Sequence, residues 1–288
     1  MIQNCIPKNL EACNVCFDNM PMAFTIIQVL VDENGQPVDF VFRYANKALA
    51  DLEGVNLEAL LGRSFYAEIF PETNDRYWLR PYYAAAYEGK TDELHQFSVE
   101  IGKYLKIICY PWNDEGCCAC ILEDETELVN ANKQLEYMAN YDISTKVGNK
   151  NRYMEFCVNF CGENTGVLFV DVNELKITND KYGHRAGDFL IKLAVDKVTA
   201  TAASYTYAPF RIGGDEFVFV FCSVEKDKFQ KLATDVYEAM HNDDIGHMPS
   251  ILAAVGSSWS EQCTNLRKLV KQADADMYLV KRRDRNFS

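Results

Sequence analysis

Hydrophobic and polar positions change period several times along the chain, and the changes mark its elements. MAFTIIQVLVD and VDFVFRYAN are rich in β-branched and aromatic residues and flank Glu33-Asn34-Gly35, which predicts a β-hairpin. KALADLEG, LEALLG and NDRYWLRPYYAAAYEGK then read as helical stretches, and ELHQFSVEIG, KYLKIICYPW and CCACILED as three further strands. Residues 121–138 are charged and free of Gly and Pro. Ile121, Leu128 and Leu135 recur there every seven residues, with Ala131 and Met138 as companions and Asp124 interrupting the first companion position. That spacing predicts either a short parallel coiled coil or a single packed linker helix.

In the second half, residues 167–172 form a short apolar run that reads as a buried strand. Asp171 stands near its C-terminal end, where parallel and mixed α/β sheets present ligands. Asn173, Lys176, Asn179, Asp180, His184 and Asp188 follow, punctuated by Gly183 and Gly187. Taken alone, Asp188 also fits the N-cap of a helix over FLIKLAVDKV. Residues 205–212 and 216–222 read as the strands of a second hairpin, with Gly213-Gly214-Asp215-Glu216-Phe217 at its tip. Glycines there permit φ > 0 and leave a bare surface that a phosphate can approach. Two carboxylates at such a tip suit a divalent metal, although the same string also fits a surface turn with solvated acids. Lys281 and Arg285, at i and i+4, put two charges on one helical face, and they also complement the end of a helix dipole.

Four segments in order carry a resemblance: DISTKVGNKN (142–151), DVNELKITNDKYGHRAGD (171–188), RIGGDEF (211–217) and ADADMYLVKRRDRN (273–286). From about Tyr141 onward the chain resembles the GGDEF family of diguanylate cyclases, nucleotidyltransferases that condense two GTP into cyclic di-GMP. The resemblance implies two Mg²⁺ ions per active site, held by Asp171, the backbone carbonyl of Val172 and Asp215. Glu216 is implied as a further ligand or as the group that helps deprotonate the attacking hydroxyl. Lys176, Lys281 and Arg285 would contact the triphosphate beside Gly213 and Gly214, and Asn179 and Asp188 would read guanine. A carboxylate at 188 accepts from the N1–H and exocyclic amine of guanine, a donor pair that adenine lacks, which favours GTP over ATP. A catalytically idle module that binds GTP or a protein partner is the alternative.

The chain departs from the family pattern at Ser144, Lys146, Lys150, Asn173 and Leu175. Ser204 and Tyr207 occupy the positions of the family's inhibitory Arg-x-x-Asp, so product feedback through that motif is expected to be missing.

RYANKALADLEG (43–54) and LLGRSF (60–65), within the order two strands, helices, three strands, resemble a PAS sensor domain. The expected organisation is an N-terminal segment (1–19), a PAS-like domain (20–124), a linker helix (125–140) and a GGDEF domain (141–288). The fold class is α/β (α+β) in two domains, the second with a central sheet flanked by helices. A PAS ligand would lie inside the sheet–helix cavity, and its identity is not legible. His95 lies in a strand pattern and reads as an ordinary histidine rather than a haem ligand, and Phe40, Phe42, Tyr77 and Trp78 read as core.

With 288 residues of which 48% are hydrophobic, the chain can fill two cores. Its 11 cysteines, an odd number, point to reduced thiols. Cys13 and Cys16 could meet Cys117, Cys118 and Cys120 in a tetrathiolate metal or redox-sensor site if the N-terminal segment packs beside the last PAS strand, but the irregular spacing of the second cluster favours plain core cysteines. A net charge of −13 is a poor match for nucleic acid or an anionic membrane surface, and no apolar stretch approaches the ~20 residues that span a bilayer. The expectation is a soluble cytoplasmic protein that takes GTP and dimerises through the PAS domain and linker helix.

Overall fold

The computed structural model describes residues 14–160, 162–241 and 251–285. They divide into two units, Met1–Lys133 and Gln134–Ser288, each built round its own antiparallel sheet.

The first unit opens with α1 (Asn14–Asp18) and the predicted hairpin β1 (Ala23–Val31) and β2 (Pro37–Ala45). Asp32 makes the turn, its carboxylate accepting from the Asn34 and Gln36 N–H groups at 2.9 and 2.8 Å, while Gly35 takes φ +75°. Next come α2 (Lys47–Glu53), α3 (Leu57–Leu60), a π-helical turn (Phe65–Ile69) and α4 (Leu79–Glu88). Strands β3 (Asp92–Ser98), β4 (Lys103–Pro111) and β5 (Cys117–Asp124) complete a sheet of order β2-β1-β5-β4-β3. One face packs Val29, Phe40, Phe42, Leu105 and Ile107 against Leu49 and Tyr82 from the helices and Trp78 at the N-cap of α4. Asn46 fixes where the hairpin hands over to α2. Its Oδ1 accepts from the Phe24 and Leu49 N–H groups, and its Nδ2 donates to the Phe17 and Met22 carbonyls.

The thiols sort by strand period. Cys118 and Cys120 face the core with Cys109, the cross-strand partner of Cys120, at Sγ–Sγ distances of 3.8 Å. Cys117 faces the other side with Phe24 and Tyr44. The neighbour of these cysteines is thus Cys109; Cys16 is exposed, and Cys13 lies outside the described residues. His95 is a surface residue between Glu93 and Glu125.

The linker helix α5 runs Thr126–Asn140, and the division between units falls within it. Its start corrects the heptad reading, because Ile121 and Asp124 belong to β5. Leu128, Ala131, Leu135 and Met138 remain, all exposed.

The second unit has α6 (Lys150–Asn159), β6 (Gly162–Val172), α7 (Leu175–Tyr182) and α8 (His184–Thr201). It continues through β7 (Tyr207–Arg211), β8 (Glu216–Phe221), α9 (Lys226–Ala239), β9 (Ala253–Cys263) and α10 (Leu266–Arg285). The sheet order is β7-β8-β6-β9 and every pairing is antiparallel. Residues Leu168, Val170 and Val172 pack one way with α8 and α9, and Val167 and Phe169 pack the other way with α6 and α10. Coverage on both faces explains why β6 reads as a continuous apolar run rather than an alternating one. At Gly256 of β9 the sheet meets α10 so closely that a Cβ would lie 2.1 Å from the Met277 backbone nitrogen. That approach brings the end of α10 to the end of β6.

Candidate active site at the hairpin tip

The sequence pattern places Asp171 at the end of a strand in a parallel or mixed sheet, whereas the strands described here pair antiparallel throughout. Register, and not a parallel switch point, brings the acids together among the described residues. Asp171, the last but one residue of β6, stands directly opposite Glu216, the first residue of β8. The Val172 N–H donates to the Asp215 carbonyl at 2.9 Å, which fixes the tip against β6. Asp171 is 8% exposed, while Asp215 and Glu216 are half-buried. From α10, the Lys281 ammonium donates to Asp171 Oδ1.

Burial raises the Glu216 carboxyl above its ordinary value, and the charges of Asp171, Asp215 and Asp274 raise it further while Lys281 opposes them. Three other acids therefore act on Glu216 at the tip. Among the described residues no three His, Cys, Asp or Glu side chains already stand at metal-holding distances. The acids converge, with a lysine cation in contact with one of them.

The glycines work by space rather than by backbone freedom. Neither Gly213 nor Gly214 has positive φ. A Cβ at Gly213 would lie 2.6 Å from Glu216 Oε2, so the residue has to be bare for Glu216 to sit where it does. Gly214 faces open space.

Arg211 was present in the sequence motif without a role, and the structure supplies one. Its guanidinium reaches both carboxylate oxygens of Asp142 at 3.1 Å and Ser144 Oγ at 2.8 Å, and it donates to the Gly214 carbonyl at 2.6 Å. Burial pushes the Asp142 carboxyl up. The Ser144 and Thr145 hydroxyls, the Thr145 N–H and the Arg211 charge outweigh that and hold it at about 2. The first and third sequence motifs thus meet in one brace behind the tip. Ser144, a departure from the family pattern, is part of it.

The second motif forms the helical hairpin α7–α8, broken at Gly183. Lys176 is exposed in the first turn of α7. The Asn179 side-chain oxygen is buried with no hydrogen-bond partner, and a Cβ at Gly187 would come within 2.0 Å of it. Asp188 is exposed and is not an N-cap: α8 begins four residues earlier, at His184. Its capping explanation is removed. Asn173 spends its amide on the Ile251 carbonyl at 3.0 Å. Arg285 closes α10, and its side chain lies outside the described residues. Ser204 is exposed, and Tyr207 packs its ring on Phe221 at 5.4 Å between centroids.

Residues 139–287 match the family model described as "Diguanylate cyclase, GGDEF domain". The chain belongs to the GGDEF family. Residues 38–130 match the model of the PAS fold, so a PAS domain precedes the GGDEF domain. Among curated relatives, the diguanylate cyclase DgcS of Shewanella oneidensis is 28% identical over 160 residues, covering 54% of this chain and 53% of that protein. The diguanylate cyclase DgcM of Escherichia coli is 26% identical over 173 residues, covering 58% and 42%. The chain spans about half the length of the curated relatives it matches. Similar solved structures include the coiled coil and GGDEF domain of DgcB from Caulobacter crescentus, at 20% identity and TM-score 0.43, covering 54% of this chain and 87% of that one. No helix of the described residues is long and apolar enough to cross a membrane.

Proposed function

We propose that this GGDEF protein condenses two GTP into cyclic di-GMP as a PAS-regulated homodimer. The observation that supports this most is the register of Asp171 opposite Glu216, with Asp215 tied to Val172, because it gathers at one edge the acids that such chemistry uses.

The donor set fits Mg²⁺ in kind. Carboxylates and a backbone carbonyl are hard oxygen ligands, and a cation would offset both the burial and the neighbouring negative charge that raise Glu216. Asp171, the Val172 carbonyl and Asp215 would hold the metal, with Glu216 beside them. Bound there, Mg²⁺ would neutralise charge on the triphosphate and on the leaving pyrophosphate.

The chain's own residues do the rest. Lys281 reaches the acids from α10 and is placed to turn to a phosphate oxygen, joined by Lys176 and Arg285. Asn179 offers guanine an unpartnered acceptor, and Asp188 accepts from N1–H and the exocyclic amine. Gly213 and Gly214 leave the hairpin bare beside the phosphates. Glu216, held above its ordinary value, takes the proton of the 3′-hydroxyl. Arg211 and Asp142 are positioning residues that keep the tip fixed.

Each GGDEF domain binds one GTP, so two must face each other. The exposed Leu128–Ala131–Leu135–Met138 face of α5 is the proposed dimer seam, and residues 125–140 the proposed linker between a PAS domain over 20–124 and a GGDEF domain over 141–288. Purified protein incubated with GTP and Mg²⁺, followed by chromatography, should yield cyclic di-GMP and pyrophosphate. Saturable GTP binding without product would favour the idle module instead.

A further inference from the structure

His95 meets two carboxylates at once. Its Nδ1 lies 2.8 Å from Glu125 Oε2 and its Nε2 lies 3.0 Å from Glu93 Oε1. An ionised carboxylate only accepts and a neutral imidazole carries a single N–H, so only the imidazolium makes both bonds. With a neutral ring, one nitrogen lone pair would face a carboxylate oxygen. The bonds to Glu125 and then to Glu93 hold the histidine above its ordinary value, in agreement with that geometry.

The two acids differ in what else holds them. Glu93 also pairs with Lys106 at 3.1 Å. Among the described residues the Glu125 carboxylate pairs with no other cation, and its side chain is 17% exposed against 54% for the histidine. Losing the charge on His95 therefore costs Glu125 more than Glu93.

Glu125 is also the residue that joins β5 to α5. Its N–H donates to the Tyr104 carbonyl at 2.9 Å, and its carbonyl accepts from the Val129 N–H at 2.8 Å, which closes the first turn of the linker helix. His95 stands on β3, the edge strand, with β4 lying between it and β5. The pair thus ties the root of α5 across β4 to the edge of the PAS sheet. We propose that His95 is a pH-dependent clasp on the linker helix, closed on Glu125 while the ring is protonated and slack when it is neutral. Its test reads protonation and helix opening, so it stands or falls independently of cyclase activity.

The charged groups facing His95 come from three strands and the helix root. Glu93 lies on its own strand, Lys106 directly opposite on β4, Glu123 opposite Lys106 on β5, and Glu125 beyond the end of β5. Two cations thus face three carboxylates when the ring is charged, and one cation faces them when it is not. The sign follows from linkage. A histidine raised in the folded chain contributes stability that is fully present below its unfolded value of 6.5 and is lost as pH rises through the higher folded value. Acidification tightens the clasp.

The experiment compares the full chain with His95→Gln and Glu125→Gln across about pH 5.5 to 9, the range that brackets a histidine. In histidine-labelled protein, the NMR signal that disappears in His95→Gln should titrate above 6.5, and in Glu125→Gln it should fall back towards 6.5. Hydrogen exchange of the peptide spanning 126–133, read by mass spectrometry at matched pH, reports the opening of the first turns of α5. At about pH 6, His95→Gln and Glu125→Gln should each exchange about two- to threefold faster than the unaltered chain, the range of a partly exposed ion pair, and the ratio should approach one by about pH 9. Unchanged exchange in the other PAS strands confirms that each variant folds. A His95 signal that titrates at or below 6.5, a titration unmoved by Glu125→Gln, or an exchange ratio that does not vary with pH would overturn the proposal.

Discussion

Replacing Asp142 by Asn should loosen the hairpin tip without unfolding the GGDEF domain. Asn keeps an oxygen for the Ser144 and Thr145 hydroxyls and removes the charge that Arg211 holds, at 3.1 Å to both oxygens. The Asp142 carboxyl is depressed from 3.8 to about 2. At about 1.4 kcal/mol per unit this corresponds to roughly 2 kcal/mol, and partial exposure of the pair reduces it to about 1 kcal/mol. The sign follows from linkage. A depressed carboxyl contributes stability above its unfolded value, and the contribution is lost as pH falls from about 4 through about 2. Hydrogen exchange of the peptide spanning 207–217, followed by mass spectrometry, reads the local opening. At pH 7 the variant should exchange about fivefold faster there, the equivalent of about 1 kcal/mol. The difference should shrink towards pH 2, where the native carboxyl is itself protonated. Because Arg211 also holds the Gly214 carbonyl, cyclase turnover should fall with the KM for GTP little changed. Equal exchange in both proteins at pH 7, or a difference that persists at pH 2, would refute the brace.

Glu216→Gln should abolish cyclic di-GMP formation and yet raise the melting temperature of the Mg²⁺-free protein: a carboxyl raised by burial and by Asp171, Asp215 and Asp274 costs stability above its unfolded value, and neutralising it removes that cost. A melting temperature that falls would contradict the clustering of acids. Gly187→Ala should raise the KM for GTP by about tenfold, because its Cβ would sit 2.0 Å from Asn179 Oδ1 and force that side chain away, losing roughly one hydrogen bond to the base; an unchanged KM would remove Asn179 from the base site. Leu128→Asp with Leu135→Asp should lower both dimer population and activity, read by light scattering beside product formation, since two charges on one seam are hard to bury. Cyclic di-GMP added at the start should not inhibit at saturating GTP, as Ser204 and Tyr207 supply neither the cation nor the carboxylate of the inhibitory motif; noncompetitive inhibition would reveal a product site elsewhere.

Local pattern determined the elements. The Glu33-Asn34-Gly35 turn, the β6 run over 167–172 and the hairpin strands either side of Gly213 all stand where periodicity and turn chemistry placed them, because those signals act between residues a few positions apart. The GGDEF and PAS memberships were legible for the same reason, as each rests on short contiguous motifs. The bounds of the linker helix were less so: a heptad written across 121–138 takes no account of β5 claiming Ile121 for its ladder.

What the tertiary structure decided is which of those motifs touch. Nothing in the chain's order says that Asp142 meets Arg211, that Gly256 lets α10 approach until Lys281 reaches Asp171, or that Gly187 is bare because Asn179 points at it. Nor does it say that Cys109, rather than Cys16, joins Cys118 and Cys120. These contacts join residues distant in sequence, and strand register together with helix-on-sheet packing set them. A one-residue slip of β8 against β6 would leave every motif in the sequence intact and turn Glu216 to the opposite face of the sheet from Asp171.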